Sequence, residues 1–122
     1  MSESMSDSTS DATRTAVLTY FRTWRERDFA AFRANLADEV TFAGPMATVE
    51  GAEACAAGVE GMTQALDDVV VTKVFVDGDD ATTWFTLHTK GGDVLPVANW
   101  SHVTNGRVDR IQVTFDPRPL LG

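Results

Sequence analysis

The stretch 69-VVVTKVFVDGDDATTWFTLHTKGGDVLPVANWSHVTNGRVDRIQVTF-115 decides the fold. It is four runs of β-branched and aromatic residues cut by DGDD, KGGD and TNG. Such cuts are hairpin signals, and Asn105-Gly106 is the strongest, because both residues tolerate the positive φ of a tight turn. Four hairpin-linked runs make an antiparallel meander. Upstream, the period changes. Val17, Tyr20, Phe21 and Trp24 recur three and four apart, the spacing of one helical face. That helix is expected to start near Ser10 or Asp11, both good N-caps. Its pattern slips at Glu26-Arg27-Asp28. A second, short helix then carries Phe29, Phe32 and Leu36, with Asp28 as its cap and Asp38-Glu39 at its end. The segment 40-VTFAGPMATVEG-51 reads as a short hairpin bent at Gly44-Pro45. Gly51 to Leu66 reads as a third helix with Cys55, Val59, Met62 and Leu66 along one stripe. Gly58 and Gly61 weaken it or allow close packing. Helices first and a meander afterwards indicate an α+β fold.

Turn lengths set register. With Gly91-Gly92 and Asn105-Gly106 as two-residue turns, Trp84 lies opposite Asn99, and Asn99 opposite Gln112. One face then carries Trp84, Thr86, His88, Asn99, Ser101, Arg110 and Thr114. The other carries Phe85, Leu87, Ala98, Trp100, Ile111, Val113 and Phe115, and should meet the helices. A bulge would exchange faces, since one residue of slip inverts a strand. Trp84, Leu95, Val97 and Val103 are too apolar for a plain solvent face. A partner on the outside is expected, as a homodimer through the sheet.

The chain has 122 residues, the length of one domain, and can bury roughly two thirds of its unfolded surface. Residues 1–11 are Ser-rich and acidic and read as a disordered tail; 12–122 read as a single domain. The net charge of −8 repels phosphate backbones, so neither nucleic acid nor an anionic membrane is expected as a partner. The lone Cys55 excludes an internal disulfide and fits a reducing compartment. No apolar stretch approaches a membrane span, and the N-terminus has no signal-peptide pattern. A cytoplasmic location is expected. No phosphate-binding glycine loop or metal-ligand spacing occurs, so no cofactor and no metal are expected.

The order helix, short helix, hairpin, helix, meander joins "FRTWRERDFAAFRANLADEVTFAGP", Gly51 opening the third helix, and "NGRVDRIQVTFDP". Together these resemble the nuclear transport factor 2-like superfamily, nearest its SnoaL-like branch of polyketide cyclases, with ketosteroid isomerases as cousins. The resemblance covers about residues 12–118. It implies a cone-shaped, curved antiparallel sheet wrapped around the long N-terminal helix, the cystatin-like or ketosteroid isomerase-like α+β barrel. It also implies an apolar pocket, and a dimer in many members.

The resemblance carries over residue by residue. The isomerases have a helix tyrosine eight residues before the "xD" break, donating to the substrate oxyanion; Tyr20 stands eight before Asp28. Their base stands sixteen residues after the break, and here that position is Gly44. Their second oxyanion donor maps to Trp100, or to Asn99 on the SnoaL-like pattern. Either can donate a hydrogen bond, and neither titrates. An acid near the end of the last strand acts in cyclase and epoxide-hydrolase relatives; Asp116 is the match. His102 can pair with Asp109 across its hairpin as an acid–base couple, or as a surface pair. Without a base at position 44, isomerisation by the family mechanism is rejected. Trp24, Phe42, Met46 and Phe115 complete the candidate pocket lining. The leading expectation is a small-molecule binder with an apolar pocket. The alternatives are a cofactor-independent isomerase, cyclase or hydrolase with Tyr20, Asp116 and His102 as catalytic candidates, and a non-catalytic dimeric interaction module. The ligand would be a small apolar or oxygenated organic molecule.

Overall fold

The computed structural model describes residues 2–121, with side chains from Ser8 onward. The first helix, α1 (Ser2–Arg25), buries Val17, Tyr20, Phe21 and Trp24 as its spacing requires. It begins ahead of the start expected at Ser10 or Asp11. Its early turns lean on the hairpin ends of the sheet: the Thr13 hydroxyl, fully buried, donates to Gly78 O at 2.7 Å. Arg27, at φ +59°, breaks the helix in the left-handed region. Asp28 then caps α2 (Phe29–Ala34), accepting from Ala31 N–H at 3.1 Å. Asp38-Glu39, expected to end this helix, lies instead inside the first strand.

That strand, β1 (Leu36–Ala43), turns back at Gly44–Ala47 into β2 (Thr48–Glu50), the expected hairpin. Gly51, at φ +93°, leads into α3 (Ala52–Thr63), a geometry that a side chain would strain. The meander follows as β3 (Leu66–Asp77), β4 (Asp80–Thr89), β5 (Val94–Thr104) and β6 (Arg107–Thr114), and a last turn, α4 (Arg118–Leu121), ends the described chain.

The sheet order is β2-β1-β6-β5-β4-β3. All neighbours are antiparallel except β1 and β6, which run parallel. The sheet is therefore mixed and open, not a closed barrel. It curves around α1 and α3, and the core fills the concave side. An aromatic cluster sits at its centre, with Tyr20 4.8 Å from Phe32 and Phe21 4.8 Å from Phe85, ring centre to ring centre. Such pairs add to the burial of the rings themselves.

The meander corrects the expected register. Trp84 lies opposite Ala98, and Thr83 opposite Asn99. The β4–β5 turn holds three residues, Lys90, Gly91 and Gly92, closed by Thr89 N–H to Asp93 O at 2.9 Å and by Gly92 at φ +94°. At the other end of β5 the Asn105-Gly106 turn has two residues as expected, but Asp109 bulges out between the His102–Arg110 and Val103–Val108 pairs. β5 is thus inverted relative to the expectation, while β4 and β6 keep their faces. Leu95, Val97, Asn99, Ser101 and Val103 point inward. Ala98, Trp100 and His102 point outward.

Candidate functional site

Between α1, α3, the β1–β2 hairpin and the concave face of β4 to β6 lies a cavity of about 390 Å³. The size falls within the usual range for ligand sites. Its inner end is formed by Tyr20, Trp24, Phe85, Leu87, Val97 and Asn99. Cys55, Val59 and Met62 of α3 form one side. Phe42, Val49, Val113 and Phe115 form another, and Pro45, Met46, Gly58, Gly61 and Leu120 stand at the rim.

The polar groups at the inner end are neutral. Asn99 is completely buried, and its Oδ1 accepts the Ser101 hydroxyl at 2.6 Å. Its Nδ2 has no partner, and neither has Oγ1 of Thr83, the residue directly opposite on β4. Buried polar atoms without partners are uncommon and call for a reason. Burial raises the Tyr20 phenol above its ordinary range; Cys55 adds to this and the Asn99 amide opposes it. Burial also pushes the Cys55 thiol up to about 11. Both groups are therefore uncharged at neutral pH. The Trp24 indole N–H is already spent on Thr63 Oγ1 at 2.8 Å.

Of the candidates read from sequence, Tyr20, Trp24, Phe42, Gly44, Met46, Asn99 and Phe115 come together on this cavity. Three do not. Trp100 is on the convex face, 44% exposed, with its indole N–H on Asp80 at 2.9 Å and the Arg110 guanidinium 5.3 Å from its ring. His102 is on the same convex face, with Nδ1 2.7 Å from Asp109 Oδ1, the hairpin pair expected, although the bulge makes Arg110 its ladder partner. His88 faces outward too, so the two histidines share the convex face. Asp116 points to solvent and is gripped by Arg118, which holds its carboxyl below the usual range. A buried base would be shifted the other way.

Gly44 has a packing reason. A Cβ there would sit 2.7 Å from Val113 Cγ2 and 3.2 Å from the Phe42 ring. A side chain at this rim would have to push aside the Val113 methyl and the Phe42 ring. Met46 is 47% exposed at the rim, and Glu50 does not line the cavity. The sequence reading missed Cys55 as a lining residue, along with Gly58, Gly61 and Leu120. The signal available for the glycines was their place in a helix interior, where glycine is costly. Among the described residues, no group of three His, Cys, Asp or Glu side chains could hold a metal, and no helix is long and apolar enough to cross a membrane.

Residues 17–111 match the SnoaL-like domain. The chain belongs to this family, within the nuclear transport factor 2-like superfamily. An NTF2-like protein of unknown function from Cytophaga hutchinsonii is 29% identical, with a TM-score of 0.79 over 90% of this chain and 95% of that one. A Kribbella flavida protein provisionally assigned as a ketosteroid isomerase superposes at TM-score 0.82, with 23% identity over 92% of this chain and 82% of its own. An LEH-like epoxide hydrolase from M. tuberculosis superposes at 0.78, with 19% identity over 92% and 88%. At those identities the last two establish the fold alone. No curated protein matches the chain.

Proposed function

We propose that this SnoaL-like domain binds a small, uncharged, mainly apolar molecule in the cavity, with one oxygen of that molecule at Tyr20 and Asn99. The observation that carries this reading is the lining itself: aliphatic, aromatic and sulfur-bearing side chains around a neutral polar end, with no charged residue among the described ones. A charged ligand would lose its hydration there without a partner. An oxygen acceptor would gain a donor from the unspent Asn99 Nδ2.

Catalysis is the second reading, supported by the family's isomerase, cyclase and hydrolase members. Those chemistries need a proton acceptor within hydrogen-bond reach of the substrate. Among the described residues the lining offers none that is ionised at neutral pH, so binding leads. A second copy on the convex face is also proposed, since Phe75, Trp84 and Trp100 are exposed there together.

Native mass spectrometry of the freshly purified protein tests both proposals. A retained organic molecule, lost in Asn99→Leu, supports the binding reading; an unliganded wild type that takes up no neutral apolar compound sinks it. The mass of the assembly in the same spectrum decides the second copy.

A further inference from the structure

The rim of the cavity has a bare part and a loosely attached part. Gly58 and Gly61 of α3 both line it and are exposed. Neither has a positive φ, and a Cβ on either would meet nothing within 4 Å. Neither backbone strain nor close approach requires glycine there, although each costs about 1 kcal/mol against alanine in a helix interior. What the glycines do is leave an edge of the opening without side chains.

Leu120 of α4 lines the same cavity. The turn that carries it holds itself together. Leu120 and Leu121 N–H donate to Pro117 O at 2.9 and 3.1 Å, and Arg118 N–H donates to Asp116 Oδ1 at 3.1 Å. The Arg118 guanidinium closes on both oxygens of Asp116 at 2.6 to 3.0 Å. Among the described residues, no side-chain hydrogen bond or ion pair joins residues 116–121 to the rest of the protein. Leu120 is the hydrophobic contact of α4 with the core, while Leu121 is 68% exposed. Segments held by so few contacts open easily.

We propose that small molecules reach the cavity across the Gly58–Gly61 strip, and that the Asp116–Leu121 turn, latched by Asp116–Arg118, is the movable edge of that opening. This rests on reading the cavity as a ligand site, for which the buried, unpartnered Asn99 Nδ2 is independent support. Asp116 then acts as a positioning residue for Leu120 and touches no ligand.

Cys55 allows a direct test. It is the only cysteine, it is 2% exposed, and it lines the cavity. An uncharged thiol reagent must pass the opening to reach it. N-ethylmaleimide labelling of the native full-length chain, timed by mass spectrometry at fixed pH, reads that passage. Gly61→Leu should slow labelling about tenfold, while Leu120→Ala and Asp116→Asn should speed it by a factor of about three or more. Gly61→Leu improves helix propensity and has free space, so it should fold; urea denaturation of each variant checks this. Equal labelling rates in all four proteins overturn the proposal, as do rates that merely follow global unfolding stability. Slowed labelling in Gly61→Leu with no molecule retained and none taken up by the wild type leaves the opening standing and removes the binding reading. Equal labelling with a retained molecule does the reverse.

Discussion

Asn99 and Trp100 are neighbours in the chain and belong to opposite chemistries. Asn99 is sealed on the concave face among apolar groups, with an unspent donor. Trp100 is half exposed on the convex face, with its indole N–H on Asp80 and the Arg110 guanidinium over its ring. The contrast extends to the whole sheet. The convex face and the periphery hold the charged side chains, among them the Arg25–Asp68 ion pair, which water screens, and the His102–Asp109 hydrogen bond. The cavity on the concave side has no charged side chain among its described lining residues. One sheet thus separates a water-compatible surface from an interior suited to an uncharged guest.

The sharpest way to break this comparison is to place the same charge at both neighbours. Asn99→Asp leaves an unpaired carboxylate in the apolar interior and should cost about 3–5 kcal/mol at pH 7 in urea denaturation. The penalty should shrink as pH falls, because protonation removes the charge. Trp100→Asp should cost about 1 kcal/mol or less, as for a surface change. Equal costs would mean that β5 does not have these two faces.

Those two faces are what the sequence concealed. The helix stripe at Val17, Tyr20 and Trp24, the Asp28 cap, the Gly44-Pro45 hairpin and the four-strand meander were all legible, because each is written in local spacing or turn chemistry. β5 was not. Both of its phases are half apolar: Leu95, Val97 and Val103 in one, Val94, Pro96 and Trp100 in the other. Its register therefore rested on counting turn residues. Two irregularities defeat the count, one extra residue in the Lys90–Gly92 turn and one in the Asp109 bulge. Each shifts the pairing by one, so β5 alone inverts. Trp100 and His102 moved from the candidate site to the convex face, and Asn99 and Ser101 moved in. The parallel β1–β6 pairing was illegible for another reason: it joins strands far apart in the chain, which no local pattern encodes. Asp116 stands exposed and paired with Arg118 rather than buried in the cavity, a placement that its position at the end of the last strand does not reveal.

A second comparison lies within α3, between its buried stripe and its bare edge. Ala52, Cys55 and Val59 pack inward, while Gly58 and Gly61 face open space. If the glycines serve the opening rather than the fold, Gly58→Ala should raise stability by about 0.5–1 kcal/mol. Urea midpoints of wild type and variant measure this. A loss of stability would mean that the glycine is required by packing.

The smallest expected effect separates the two polar groups at the inner end of the cavity. Ser101 holds Oδ1 of Asn99, so that amide is partly structural. The Tyr20 hydroxyl faces the Asn99 amide, whose Nδ2 makes no hydrogen bond of ordinary geometry. Removing a hydroxyl that is firmly bonded within the protein typically costs about 1 kcal/mol. Tyr20→Phe should therefore change stability at pH 7 by less than about 0.5 kcal/mol, while weakening retention of an oxygen-bearing ligand. At high pH the sign turns in favour of the variant. The Tyr20 phenol is raised above its unfolded value by burial, so the neutral form supports the fold fully below about pH 10 and that support fades above it. Cys55 acts in the same direction as pH climbs toward about 11. Tyr20→Phe should thus resist alkaline unfolding better than the wild type. Because Tyr20 is the only tyrosine, the appearance of phenolate absorbance in the wild type marks the same event. Phenolate appearing near pH 10 while the fold stays intact would place the hydroxyl in contact with water, and a wet inner end would not select an uncharged, mainly apolar molecule.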